Sequence, residues 1–339
     1  MSQHTGLVVA SFGRHCMVES PDGTRTLCHP RGKKSQVVVG DQVQWLPSTD
    51  EGTIEKVNPR RNLLYRQDEI RTKEFAANLD QVLILIAAEP EFSEHQLTRA
   101  LIACEAAKIK AVIALNKSDL PEPFELAWQR LAPYRHMHYG VLPLSLRLSS
   151  DVDKAHLMKH LEGKTTLILG PSGSGKSTLI NLLAPGARVL TNEISQALNS
   201  GKHTTTSTTL YWVGDAPASA SAPASASASS SASAPTSTST PATAPHAAPT
   251  TTARTALIDS PGFQEFGLHH IEPTGLASLM PDISAHLGNC KFYNCTHLHE
   301  PGCGVIAAVK AKPTVDDICA RRYRLYGELF AELSAQPVY

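Results

Sequence analysis

With 339 residues, 42% of them apolar, and a formal net charge of zero, the chain can build two or three cored domains. It lacks the bulk positive charge that by itself marks a nucleic-acid binder. No run of about 18 apolar residues could cross a bilayer, and the Met1 end lacks the basic, apolar and small-residue sections of a secretory signal, so a cytoplasmic protein is expected.

From Gly6 to about Arg71, short β-rich runs (LVVASF, CMVES, TRTLCHP, VVVGDQVQW, GTIEKV) alternate with polar turns, which predicts a small barrel of OB type. Such barrels commonly bind oligonucleotides. RGKK at Arg31 to Lys34, with Arg60 and Arg61, supplies either phosphate-facing charge or plain solvated loop charge. After Asn78 the period changes. QVLILIAA reads as a buried parallel strand, Ser93 and Gln96 form a capping-box pattern, QLTRALIACEAAK is an amphipathic helix and AVIAL a second strand. The same strand–helix grammar returns in TTLIL, GPSGSGK and STLINLL, so a central α/β domain is expected, followed by a Cys/His cluster and a last helix around 315–333. The expected division is 1–75 for the barrel, 76–267 for the α/β domain and 268–339 for a small α-rich metal-binding domain.

Within the α/β domain, residues 216–252 are Ala, Ser, Pro and Thr with almost no charge and no aromatic residue. Such a tract cannot bury enough apolar surface to offset the entropy of ordering, so it is expected to be a disordered insertion. It lies between LYWV and RTALID, which are expected to pair as strands with the insertion at their turn.

GPSGSGKST fits G-x-x-x-x-G-K-[ST] between a strand and a helix, where backbone N–H groups face a phosphate. Its residues are Gly170, Pro171, Ser172, Gly173, Ser174, Gly175, Lys176, Ser177 and Thr178. Lys176 is expected to reach the β and γ phosphates and Ser177 to hold Mg²⁺. DSPG, Asp259 to Gly262, ends the strand RTALID. Its position suits Asp259 to the Mg²⁺ shell and the Gly262 N–H to the γ phosphate. NKSD (Asn116, Lys117, Ser118, Asp119) follows AVIAL and matches the N-K-x-D element of guanine-nucleotide-binding proteins. The Asp119 carboxylate can accept from guanine N1–H and the 2-amino group, a donor pair adenine lacks, which disfavours a kinase or ATPase. The base reader precedes the phosphate loop, the reverse of the usual order, so the domain reads as circularly permuted.

Near the C-terminus, Cys290, Cys295, His297 and Cys303 follow C-x₄-C-x-H-x₅-C. Three thiolates and one imidazole make a closed tetrahedral Zn²⁺ set of structural type, with a redox cysteine cluster as the rival reading. Cys16, Cys28, Cys104 and Cys319 are scattered and read as packing residues.

GDQV at Gly40, RRNLLYR at Arg60, NLDQVLI at Asn78, NKSD, GPSGSGKST, GKHTTT, DSPGFQEFGL and CKFYNCTHLHEPGC together resemble the RsgA (YjeQ) family of small-ribosomal-subunit-dependent GTPases over nearly the whole chain. The resemblance implies an OB barrel, a permuted GTPase domain and a zinc domain. It further implies GTP hydrolysis during late maturation of the small subunit, with contacts to its rRNA, by a monomer remote from membranes. It places the HTTT-type segment in switch I, so His203 is the candidate for orienting the attacking water and Thr205 for contacting Mg²⁺ or the γ phosphate, with Thr204 as runner-up. Phe263 stands where Ras-like enzymes carry a water-orienting glutamine, so another residue must do that work. A second base-contacting loop, usually S-A, corresponds to Leu144, Ser145 and Leu146, where the alanine is missing. The alternative to an enzyme is a GTP-controlled RNA-binding module without significant turnover.

Overall fold

The computed structural model describes residues 3–32, 36–68, 72–148, 150–187, 208–214, 254–260, 263, 266–310 and 318–335. Strands β1 (His4–Phe12), β2 (His15–Glu19), β3 (Arg25–Pro30), β4 (Gln42–Leu46) and β5 (Gly52–Val57) pair in the order β1-β2-β3-β5-β4. β4 returns to β1 and closes a five-stranded barrel. Alternate positions point inward, so Val8, Val18, Cys28, Val43, Trp45 and Ile54 fill the interior. Cys16 and Cys28 face each other across β2 and β3. Burial pushes their thiols up to about 11 and about 12, as suits inert packing groups.

Arg60, read from the sequence as either phosphate-facing or solvated loop charge, has another role. Arg60 donates to both carboxylate oxygens of the fully buried Asp41 (2.8 and 2.9 Å) and to the Gln36 carbonyl (2.8 Å). A carboxylate removed from water requires a counter-charge, so Arg60 is structural. Arg61 pairs with Asp80 at 2.7 Å and Arg31 with Glu55 at 2.6 Å, both more exposed. Lys33 and Lys34 lie outside the described residues.

A hairpin of β6 (Leu63–Gln67) and β7 (Thr72–Ala77) leads into the second sheet. Its strands are β8 (Gln81–Ala87), β9 (Lys110–Asn116), β10 (Gly140–Pro143), β11 (Thr165–Leu169), β12 (Thr208–Trp212) and β13 (Ala256–Asp259), in the order β10-β9-β8-β11-β13-β12. All pairings are parallel except β12 with β13. β8 is buried along its whole length because helices cover both faces. Val82, Ile84 and Ile86 meet Leu97 and Leu101 of α1 (Glu94–Ala106) on one side. Leu83 and Leu85 share the other side with α4 (Ser150–Leu161) and α5 (Lys176–Leu183). Between these helices come α2 (Pro121–Arg130) and α3 (Ala132–His136). The expected N-cap of α1 is present, the Gln96 N–H donating to Ser93 Oγ at 3.2 Å.

Barrel and sheet join edge to edge where β1 pairs with β12 (Ala10 with Thr209, Ser11 with Thr208). Glu19 on β2, its side chain 8% exposed, accepts from Trp212 Nε1 and from Arg25, each at 2.8 Å, and lies 3.6 Å from Arg254, whose guanidinium covers the Trp212 ring at 3.9 Å. The strands flanking the insertion therefore pair as expected and are also fastened to the barrel. The insertion itself, 216–252, lies outside the described residues.

The C-terminal part carries short helices at Pro281–Ser284 and Gly304–Lys310 and a long one at Ala320–Ser334. Arg322 of the long helix is buried. It donates to both oxygens of Asp282 (2.9 and 3.1 Å) and to Thr98 Oγ1 on α1 (2.8 Å), and it lies 5.2 Å from the Tyr134 ring centre. This contact ties the Cys/His region to the α/β sheet.

Candidate functional site

The phosphate loop leaves the C-terminal end of β11 in the middle of the sheet, and the base reader leaves the same end of β9, with β8 between the two strands. That edge is where open α/β sheets bind ligands. Two glycines are required by space. A Cβ at Gly170 would strike the Leu85 carbonyl, and Gly175, at φ 106°, would drive one into the Asn116 amide. Gly175 caps α5, whose first-turn N–H groups point out of the loop, and Ser177 and Thr178 are exposed at that end. Lys176 Nζ donates to the Gly170 carbonyl at 2.5 Å and the Pro171 carbonyl at 3.2 Å, so it lies over the loop it serves.

Asp259 ends β13 beside this loop. Burial pushes its carboxyl up, with Lys176 opposing. Burial likewise draws the Lys176 ammonium down, with Asp259 opposing. A partly buried cation and anion thus share one polar floor, which suits an incoming polyphosphate with a divalent cation. Ser260 Oγ of the DSPG segment lies 3.3 Å from Thr208 Oγ1 at the start of β12.

The base reader is locked onto the phosphate loop. Asn116, 5% exposed, donates from Nδ2 to the Ser174 carbonyl at 2.9 Å, and its Oδ1 accepts the Leu146 N–H at 3.2 Å. Lys117 sits at φ 71° and reaches the Glu89 carbonyl. Asp119 Oδ1 accepts from Ser145 Oγ at 2.9 Å, and the Ser118 N–H donates to the Leu144 carbonyl at 2.9 Å. Leu144, Ser145 and Leu146 therefore lie hydrogen-bonded against NKSD, as the expected second base loop would. Sequence reasoning missed Asp153, whose Oδ2 accepts the Ser145 N–H at 2.6 Å. An acidic residue in the first turn of a helix gives no hint of that reach.

His203, Thr204, Thr205, Pro261 and Gly262 lie outside the described residues. Phe263 is 4% exposed in the core beside Phe266, which stacks on Phe75 at 5.3 Å. Its ring belongs to the apolar packing and offers no polar atom to a water.

The four metal-type residues converge, with ligand atoms all within 4.8 Å of one another. Cys290 Sγ is 3.9 Å from Cys303 Sγ, and His297 Nδ1 is 3.5 and 3.6 Å from those two sulfurs. Tetrahedral zinc with bonds of about 2.3 Å to sulfur and 2.0–2.1 Å to nitrogen would set S···S and S···N edges of about 3.8 and 3.5 Å. The donor set fits that ion. All seven cysteines are free thiols. His297 holds φ 64°, an uncommon conformation for a residue with a side chain, and its carbonyl is fixed by Tyr323 Oη at 2.7 Å. The Ile306 N–H points at Cys303 Sγ (3.5 Å) from the adjoining helix, as N–H groups do around thiolate ligands.

A closed five-stranded barrel, a P-loop sheet whose base reader comes first in the chain and a Cys₃His module together define a circularly permuted GTPase fold. The family model described as RsgA GTPase matches residues 57–223. A curated relative from Variovorax paradoxus (strain S110), named small ribosomal subunit biogenesis GTPase RsgA, is 66% identical over 98% of this chain and 93% of its own. A relative of the same name from Paraburkholderia phytofirmans is 46% identical over 97% and 93%. The crystal structure of YjeQ from Thermotoga maritima superimposes with a TM-score of 0.66 at 26% identity, covering 99% of this chain and 100% of that one. The chain belongs to the RsgA GTPase family. No helix among the described residues is long and apolar enough to cross a membrane.

Proposed function

We infer that this chain hydrolyses GTP to GDP and phosphate and acts in the biogenesis of the small ribosomal subunit, the role its relatives' names give them. One observation carries the nucleotide part. The Asn116 amide is bonded to the phosphate loop while Ser145 orients Asp119, so phosphate and base recognition form one hydrogen-bonded unit. In this reading residues 170–178 cradle the phosphates and Lys176 contacts the β and γ groups. Ser177, Thr205 and Asp259 hold Mg²⁺, and the Gly262 N–H senses the γ phosphate. His203 orients the attacking water, a role the buried Phe263 leaves open. Mg²⁺ supplies charge neutralisation on the phosphates. Cys290, Cys295, His297 and Cys303 hold one structural Zn²⁺, with no ligand position left for chemistry. The barrel at 1–75 and the metal module at 268–339 flank the catalytic domain at 76–267. That arrangement suits a monomeric cytoplasmic switch whose flanks grip rRNA on the small subunit.

Single-turnover GTP cleavage with and without purified small subunits tests this. Subunit-dependent acceleration is expected, abolished in His203→Ala with GTP binding retained. The alternative is a GTP-controlled RNA-binding module with negligible turnover, and an absence of acceleration by subunits would sink the enzyme-switch reading in its favour.

A further inference from the structure

Asp153 stands in the first turn of α4 with 7% of its surface exposed, and it makes no ion pair among the described residues. Aspartate is rarely buried without a partner. Its recorded hydrogen bond runs to a backbone N–H, that of Ser145, at 2.6 Å. Ser145 is itself 4% exposed, and its hydroxyl donates to Asp119 Oδ1 at 2.9 Å. The Leu148 N–H closes a turn back onto the Ser145 carbonyl (3.0 Å), so both backbone groups of Ser145 are fixed. The α4 N-terminus favours the Asp153 charge, and an ionised acceptor makes the stronger bond to Ser145 N–H. Without that acceptor, the loop from β10 to α4 would lose the restraint that aims Ser145 Oγ.

We propose that Asp153 is a positioning residue for guanine selection, acting through Ser145 on the Asp119 carboxylate. The proposal rests on the reading of Asp119 as the base reader. With Oδ1 engaged by Ser145, rotation of the carboxylate is restrained, and its remaining lone pairs can serve the base. Discrimination by hydrogen bonds depends on such fixed orientation, because a swinging carboxylate meets the base with entropy still to lose.

The test compares GDP, IDP and ADP affinities, with Mg²⁺, for full-length parent, Asp153→Asn and Asp153→Ala. Inosine lacks the 2-amino group, so the GDP-to-IDP ratio reads the contact assigned to Asp119. We expect that ratio to fall about fivefold in Asp153→Ala, and about twofold in Asp153→Asn, which keeps a neutral acceptor. A purely structural role would weaken both nucleotides in proportion, so a ratio equal to the parent's across the series overturns the proposal. Should Asp153→Ala fail to fold, parent against Asp153→Asn decides on the same criterion. A parent that fails to prefer GDP over ADP would instead overturn the guanine reading, and this proposal with it.

Discussion

The nucleotide end and the cysteine module are both polar clusters built from loops, but they are held together differently. Around Asn116, Ser145 and Asp119, each donor meets an acceptor within the protein, and the recognition surface is shaped by those bonds. Around Cys290, Cys295, His297 and Cys303, four electron-rich atoms converge at separations of up to 4.8 Å. Deprotonated, such thiolates would repel one another at that distance, and a bound cation would offset that repulsion. In the first region the ligand reads an arrangement already made. In the second, a metal bound by such a donor set would couple binding to folding.

Metal removal should separate the two most sharply. Structural zinc is worth an apparent ~10–16 kcal/mol to modules of this kind. Purified protein should hold about one equivalent, and chelation should speed amide exchange through residues 286–310 while leaving β8 and β11 slow. Unchanged exchange at 286–310 would remove the distinction. Arg322→Ala comes next. It leaves Asp282 without its counter-charge at the seam with α1 and should cost about 3–5 kcal/mol in denaturant unfolding. At the nucleotide end, Asp119→Asn should leave the fold intact while lowering GTP affinity about a hundredfold and raising xanthosine triphosphate binding. Retained GTP preference would refute the assignment. The smallest effect is expected at the barrel seam. Glu19→Gln keeps an acceptor for Trp212 but loses the charge facing Arg25 and Arg254, for about 1 kcal/mol in thermal unfolding.

The motifs that carry chemistry were readable because each is compact in the chain. Residues 170–178, 116–119 and the four metal-type residues within 290–303 are constrained by local geometry, and the structure assembles every described member of each. The barrel was legible from its period-2 strands, and β12 and β13 from the apolar runs on either side of the insertion. The role of Arg60 was not readable, because a charge in sequence carries no sign of whether a buried acid awaits it. Here Asp41, nineteen residues earlier, does. Ser145 stood in the expected loop without its usual neighbour, and only the contact to Asp119 fixed its part.

Sequence alone determined the class of chemistry: a phosphate loop, a guanine-type base reader, a Cys₃His set and the inverted order of the first two. These follow from residue types at short spacing, where covalent geometry limits what the side chains can do. Tertiary structure decided which groups support that chemistry. Glu19 meets Trp212 across 193 residues, Arg322 meets Thr98 across 224, and Asp153 turns back from α4 to hold Ser145. Such partners are chosen by sheet order and helix packing. A buried charge takes whichever complementary group the fold brings within about 3 Å, and no local pattern records that choice.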